Sequence, residues 1–208
     1  MKELRIVNVL SEFDARLEAE QNQLKALSPQ EREKYLDEMM LAVGLQTGEF
    51  LNMLLKTQGG KRILEIGTSV GYSTIWLAEA ARVNGGRVTT VECVAAKQAQ
   101  AVENIRRAGL EDNVDFQLGN AVELLENLPG AWDFILLDLW KELYIPCFDC
   151  FYKKLAPGAI IVADNITFPP DFRPIMKAYQ EYVRAKPDLD SIEIDIGQGL
   201  ELTRKEIS

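Results

Sequence analysis

The sequence predicts an α/β fold: a mostly parallel seven-stranded sheet with helices on both faces, a helical N-terminal extension, and an antiparallel strand in a C-terminal hairpin. Three observations carry that expectation. From Arg62 onward, short β-type runs alternate with amphipathic stretches, the pattern of right-handed βαβ units. The run Ile63-Leu64-Glu65-Ile66 stops at Gly67, and a second glycine, Gly71, opens a segment carrying Ile75, Leu77, Ala78 and Ala81 at helical spacing. Near the end, Gly197-Gln198-Gly199 separates β-type runs at 191–196 and 200–204, which reads as a hairpin closing the sheet.

Taken in order, residues 2–27 are rich in Glu, Gln, Leu and Ala, with Ile6, Val9, Leu10, Phe13 and Leu17 at helical spacing. Ser28-Pro29-Gln30-Glu31 is a helix start, with Ser28 as cap and Pro29 in the first helical position, so a second helix is expected to about Met40. Leu41-Ala42-Val43-Gly44 breaks the chain before a third helix over 47–56, which Gln58-Gly59-Gly60 ends. Strands are then expected over 62–66, 87–92, 114–118, 134–137 and 159–163, and helices over 72–83, 94–107, 121–128, 141–155 and 172–185. No repeat or linker intervenes. Residues 1–208 read as one domain, 1–58 a helical extension and 59–208 the α/β core.

Composition excludes several kinds of chemistry. There is no histidine, which removes Ser-His-Asp and Cys-His catalysis, an imidazole base and His-ligated metals. A general base must then be a carboxylate, lysine, tyrosine or cysteine, and a bound metal should be a hard one on oxygen ligands. The formal charge of −9 argues against wide contact with nucleic acid. No apolar run is long enough to span a bilayer, and Met1-Lys2-Glu3-Leu4 lacks the apolar core of a signal peptide. Three cysteines are too few for a disulfide framework, so a cytoplasmic home is expected. Cys147 and Cys150 form a C-x-x-C without a second pair or a histidine to complete a zinc site, and read as two thiols on a helix.

In open α/β sheets ligands bind beyond the carboxyl ends of the strands, so the residues at those ends are the candidates. The first end offers Gly67 to Ser73, where backbone can approach a ligand closely and a helix opens with free amides. The G-x-x-x-G spacing is not the dinucleotide fingerprint G-x-G-x-x-G, and by itself it points only to a nucleotide-type ligand. The second end carries Glu92, either a solvated loop acid or the acceptor for two ribose hydroxyls. After the third comes Gly119-Asn120-Ala121, with Asn120 a helix N-cap or an adenine contact. The fourth stops at Asp138-Leu139-Trp140-Lys141 and the fifth at Asp164-Asn165. Two carboxylates and an amide oxygen at adjacent strand tips suit magnesium, which keeps part of its octahedral shell for water or substrate. Lys141 beside such an ion would have its neutral form favoured and so suit a general base. The plainer account makes Asp138 and Asn165 helix caps and Lys141 a solvated charge.

Together, Leu137-Asp138-Leu139-Trp140-Lys141-Glu142-Leu143-Tyr144, Ala163-Asp164-Asn165, the run from Leu64 to Ser73, and Glu92 resemble the metal-dependent O-methyltransferases of the catechol and caffeoyl-CoA type, over residues 40–204. The Asp-Leu-Trp-Lys stretch and the short 164–169 connection are closest to the catechol branch. The resemblance implies a Rossmann-like class I methyltransferase fold with S-adenosylmethionine as methyl donor. Gly67, Ser69, Tyr72 and Ser73 would surround its amino-acid end, Glu92 its ribose, and Asn120 and Ala121 its adenine. Asp138 and Trp140 would flank it, and Leu41 and Val43 would help to close the site. Asp138, Asp164 and Asn165 match magnesium ligands, and Lys141 the base. Three departures stand out: Leu139 is bulky where relatives carry a small or polar residue, Asn120 replaces an acid, and no acid aligns with the one that orients the acceptor's second hydroxyl, Glu193 being the nearest.

The implied reaction is magnesium-dependent methyl transfer to one oxygen of a vicinal-diol aromatic, with a small phenolic acceptor as partner and a homodimer as the expected assembly. Within the same chemistry the acceptor could instead be a natural product, a CoA ester or a modified tRNA nucleoside. From other classes, a nicotinamide-dependent oxidoreductase is disfavoured by the missing fingerprint and the terminal hairpin. A non-catalytic S-adenosylmethionine-binding module is disfavoured by the intact Asp138, Lys141, Asp164 and Asn165.

Overall fold

A computed structural model of the chain describes residues 3–28, 31 and 39–207. The first helix, α1 (Leu4–Ala26), buries Ile6, Val9, Leu10 and Phe13 along one stripe, each such side chain contributing about 2 kcal/mol of burial. Ser28 donates its backbone N–H and its hydroxyl to Glu31, an arrangement close to a capping box. The second helix expected from Ser28 otherwise lies outside the described residues. Helix α2 (Leu45–Gln58) follows, and then the alternating core of β1 (Arg62–Ile66), α3 (Tyr72–Asn84), β2 (Arg87–Glu92), α4 (Ala95–Ala108), β3 (Val114–Leu118), α5 (Ala121–Asn127), β4 (Trp132–Leu137), α6 (Tyr144–Tyr152), β5 (Leu155–Ala163), α7 (Arg173–Arg184), β6 (Leu189–Ile194) and β7 (Leu200–Lys205).

The seven strands form one sheet in the order β3-β2-β1-β4-β5-β7-β6. Strands β3, β2, β1, β4 and β5 are mutually parallel, while β7 runs antiparallel between β5 and β6. The mostly parallel sheet with an antiparallel C-terminal strand is the architecture expected from the sequence. Strand order reverses between β1 and β4, and the loops leaving those two strands diverge to open a crevice at their carboxyl ends.

Both faces of the sheet are covered, which is why its central strands read as unbroken apolar runs. Ile63, Phe134 and Leu136 face a core shared with α1, α2, α3 and α4; Leu64, Ile66, Ile135 and Leu137 face one shared with α5, α6 and α7. The period-two alternation of the strands divides the side chains between these two cores.

The largest departure from the sequence pattern lies between β4 and β5. The helix expected over 141–155 is instead a 3-10 turn at Lys141–Leu143, α6, and a strand that already begins at Leu155. Leu155 pairs with Trp132, whose N–H donates to the Lys154 carbonyl at 2.9 Å, so β4 and β5 both start earlier than expected. A cross-strand partner far away in sequence overrides helical spacing here. Cys147 and Cys150 are free thiols on α6, as expected. Among the described residues, no helix is long and apolar enough to cross a membrane.

The second core is anchored by Phe148, fully buried, with ring centroids of Tyr152, Phe151 and Tyr182 at 5.2, 5.4 and 5.9 Å. Phe148→Ala should cost about 3–5 kcal/mol in urea denaturation. Arg106→Ala, which removes an exposed intrahelical pair with Glu103, should leave the midpoint unchanged within scatter.

Candidate functional site

The crevice beyond β1, β2 and β4 opens into a cavity of about 900 Å³. Its described lining includes Leu41, Val43, Gly67, Ser69, Tyr72, Ser73, Glu92, Asn120, Ala121, Asp138, Trp140, Lys141 and Asn165. Among the residues expected to hold the cofactor, the cation or the proton, Asp164 is not on the wall; it is 1% exposed, immediately beside Asn165.

At one end the glycine turn packs against its neighbours without room to spare. Gly67 has φ 107° and lies so close to Asp138 that a Cβ would overlap the Asp138 carbonyl oxygen. The turn thereby presses β1 against the tip of β4. Gly71, with φ 93°, begins α3 where a Cβ would sit 3.2 Å from that of Ala101. Between them, Ser69 adopts a left-handed φ of 47° and donates its N–H to Glu92 Oε2 at 2.8 Å. Glu92 Oε1 accepts the N–H groups of Cys93 and Val94, both at 2.9 Å. Its carboxylate is therefore fixed in place by three amides, with lone pairs left over for further donors. This is a built acceptor rather than a solvated loop acid.

Two contacts join this end to the N-terminal extension. Ser69 Oγ donates to the Met40 carbonyl at 2.7 Å, and the Tyr72 hydroxyl donates to Asp14 Oδ1 of α1 at 2.9 Å. Asn120 is an N-cap whose Oδ1 accepts from the amides of Val122 and Glu123 at 3.0 and 3.3 Å, so its side-chain oxygen is already engaged.

Beneath the turn, Glu65 is completely buried in mid-strand. Thr74 and Thr90 donate to its Oε2 at 2.5 and 2.6 Å, and Oε1 has no partner. Burial outweighs the hydroxyls and lifts its pKa from 4.5 to about 7.

The other end of the cavity gathers the charged groups. Lys141 is 8% exposed, and its Nζ donates to Asn165 Oδ1 at 2.5 Å, the Tyr144 hydroxyl at 2.7 Å and the Leu139 carbonyl at 3.0 Å. Asp138 Oδ1 stands 3.6 Å from the same nitrogen. The Tyr144 hydroxyl donates in turn to the Asp164 carbonyl at 3.0 Å. Both carboxylate oxygens of Asp164 are buried without a partner. Burial, and then the charge of Asp138, raises the Asp164 pKa to about 8. Burial likewise raises Asp138 and lowers Lys141, with the opposite charges pulling each back. Two acids and an amine in so dry a space cannot all be charged comfortably. Among the described residues no three His, Cys, Asp or Glu gather as a metal cluster; the side chain that meets Lys141 beside Asp138 is the amide of Asn165.

A sequence-family model described as O-methyltransferase matches residues 14–206. The chain belongs to the O-methyltransferase family. The catechol O-methyltransferase of Niastella koreensis is 39% identical over 130 residues, 61% of this chain and 58% of that protein. That of Mycobacterium tuberculosis is 38% identical over 127 residues, 61% of this chain and 57% of the relative. The chain thus spans under two thirds of the length of these curated relatives. The O-methyltransferase of Bacillus cereus, solved in complex with SAH, aligns with a TM-score of 0.74 and 26% identity over 99% of this chain and 92% of that one.

In this member of the O-methyltransferase family, three residues of the site were not singled out in the sequence. Glu65 was visible only as an acid embedded in an apolar run. Tyr144 lies three residues beyond Lys141, the spacing that brings side chains together on a helical turn. Gln198 was read only as the middle of a hairpin turn, yet it lines the cavity. Conversely, Glu193 accepts from Gln180 at 2.8 Å, pairs with Arg173 at 3.5 Å, and is not on the cavity wall.

The raised pKa of Glu65 has a definite sign for stability. Its protonated form is favoured by folding, so that contribution is complete below pH 4.5 and is lost as pH rises through about 7. Urea denaturation should show the wild-type chain losing on the order of 3 kcal/mol from this group between pH 4.5 and 8. Glu65→Gln, which keeps an acceptor for the two threonines, should remove that part of the slope.

Proposed function

We propose that the chain transfers the methyl group of S-adenosylmethionine to a hydroxyl oxygen of a catechol-like vicinal diol, with a divalent cation such as magnesium held by Asp138, Asp164 and Asn165. The observation that carries this reading is the buried, unpartnered carboxylate of Asp164, beside Asp138 and Lys141 at adjacent strand tips. A pair of acids so short of compensating charge suits a small hard cation. Asn165 Oδ1 fits as well, because Lys141 occupies only one of its two lone pairs. The names of the two catechol O-methyltransferase relatives favour the diol acceptor.

The cofactor follows from the other end of the cavity. The Gly67–Ser73 turn would receive the amino-acid portion of S-adenosylmethionine, and Glu92, fixed by three amides, would accept from the ribose hydroxyls. Asn120 and Ala121 would border the adenine through backbone and surface, since the Asn120 oxygen is committed to its helix. Leu41, Val43 and Trp140 would cover the site, and Trp140, 44% exposed, has a face to spare for an aromatic ligand.

When bound, a divalent cation supplies Lewis-acid polarisation of the acceptor hydroxyls. The neutral amine of Lys141, the form that burial favours, accepts the departing hydroxyl proton at Nζ and becomes ammonium. Before that transfer its two N–H donors suffice for the Leu139 carbonyl and the Tyr144 hydroxyl, which keep it in place. The acceptor oxygen then forms its bond to the methyl carbon as the bond from that carbon to the sulfonium sulfur breaks. Alignment and exclusion of water account for most of the acceleration, since no protein atom enters the bonds that change.

Methylation of a catechol, followed by chromatography, should stop on chelation of divalent ions and return when magnesium is added. Lys141→Ala should lower kcat by about 10²–10⁴. Turnover that survived both treatments would overturn the mechanism. Glu92→Gln should weaken S-adenosylmethionine binding in calorimetry by roughly tenfold, about 1.4 kcal/mol, with little change in the rate at saturation.

A further inference from the structure

We infer that Gln198 is a positioning residue for the divalent-cation site: its side-chain carbonyl holds the Asn165 amide in the one orientation that turns Oδ1 towards Lys141 and away from the hairpin. The inference rests on the reading of Asp138, Asp164 and Asn165 as that site.

The hydrogen-bond chain sets the assignment. As the ammonium that donates to three acceptors, Lys141 Nζ has no lone pair, so the atom of Asn165 that meets it at 2.5 Å is oxygen. The nitrogen of the same amide then faces the hairpin, and it donates to Gln198 Oε1 at 2.8 Å. Gln198 must therefore present its carbonyl and not its NH₂. Without an acceptor there, the Asn165 NH₂ would lose its partner, and the amide would be freer to turn its nitrogen to the cation side. An amide nitrogen has no lone pair for a cation, so a turned Asn165 removes one of three donors from the site.

The backbone around Gln198 makes the side chain's role separable from the docking of the hairpin. The Thr167 N–H and hydroxyl both donate to the Gln198 carbonyl, at 3.0 and 2.8 Å, and the Ile166 N–H donates to the Gly199 carbonyl at 2.9 Å. These main-chain contacts persist whatever side chain stands at 198. Gly199 is packed so closely that a Cβ would fall 2.6 Å from the Thr167 side chain. The turn between β6 and β7 is thus seated on the 165–167 segment by its backbone. The Gln198 side chain remains for the Asn165 amide, which itself stands in a left-handed conformation with φ 56°.

The test is a double-mutant cycle read by manganese binding, followed by water-proton relaxation in the presence of S-adenosylhomocysteine. Gln198→Met keeps the bulk and removes the acceptor; it should weaken manganese binding about 10–100-fold while leaving S-adenosylhomocysteine affinity and the thermal midpoint unchanged. In an Asn165→Asp background a carboxylate offers oxygen on both sides, orientation no longer matters, and the same Gln198→Met change should shift binding by less than about threefold. Manganese affinity unchanged by Gln198→Met, or lost equally in both backgrounds, overturns the positioning role. A wild-type chain that binds neither manganese nor magnesium overturns the underlying cation site, and the inference falls with it.

Discussion

The seam between β4 and β5 depends on a balance among charged and polar groups that are largely withdrawn from water. Among the described residues Lys141 is the only cation in contact with Asp138 and the Asn165 amide there, and Asp164 has no donor on either carboxylate oxygen. A lysine spreads one charge over three hydrogens, and all three are already directed at Leu139, Tyr144 and Asn165. The pair is thus under-compensated, which is costly for a structural ion pair and would suit the cation proposed to bind there. Burial pushes the carboxyls up and the amine down before any ligand arrives, and the neighbouring acids pull the amine part of the way back. A doubly charged cation bound there would reverse the shift of the carboxyls and reinforce that of the amine, because its charge favours ionised carboxylates and a neutral amine.

The sheet supplies the stiffness that such a seam requires. Leu137 pairs with both Ile66 and Ala163, so the strands carrying Gly67, Asp138 and Asp164 end at the same level. The amide of Asp138 donates to the Ile66 carbonyl, and that of Asp164 to the Leu137 carbonyl, at 3.0 and 3.1 Å. Gly67, Asp138 and Asp164 are therefore each the first residue past a paired strand, positioned by a ladder whose side chains are buried on both faces. Loops alone could not hold two acids this near each other at constant spacing.

How much of this was legible in the sequence depends on the range of the interaction that fixes each feature. Strand tips are local signals: an apolar run ends, and a glycine or an acid follows. Gly67, Glu92, Asp138 and Asp164 could be placed at the rim of the sheet on that ground alone. The first residues of β4 and β5 could not, because Trp132 and Leu155 become strand only by pairing with one another across the helix between them. Asn120 shows a different limit, since a cap and a ligand contact call for the same residue type, and the distances to two amides were needed to show how its oxygen is engaged. Gln198 was hidden for a further reason. Its neighbours are glycines, its sequence context describes only a turn, and its partner lies 33 residues away.

The two hydrogen bonds that join the glycine turn to the N-terminal extension have a thermodynamic consequence. Ser69 and Tyr72 belong to the turn proposed to receive the cofactor, while Met40 and Asp14 belong to the segment that precedes the sheet. A ligand that orders the turn must then favour the docked state of α1, and a docked α1 must favour the ligand by the same factor. The helix is in that sense part of the binding free energy although it lies outside the α/β core. Amide hydrogen exchange along α1 would report cofactor occupancy from a distance, slowing as the turn fills.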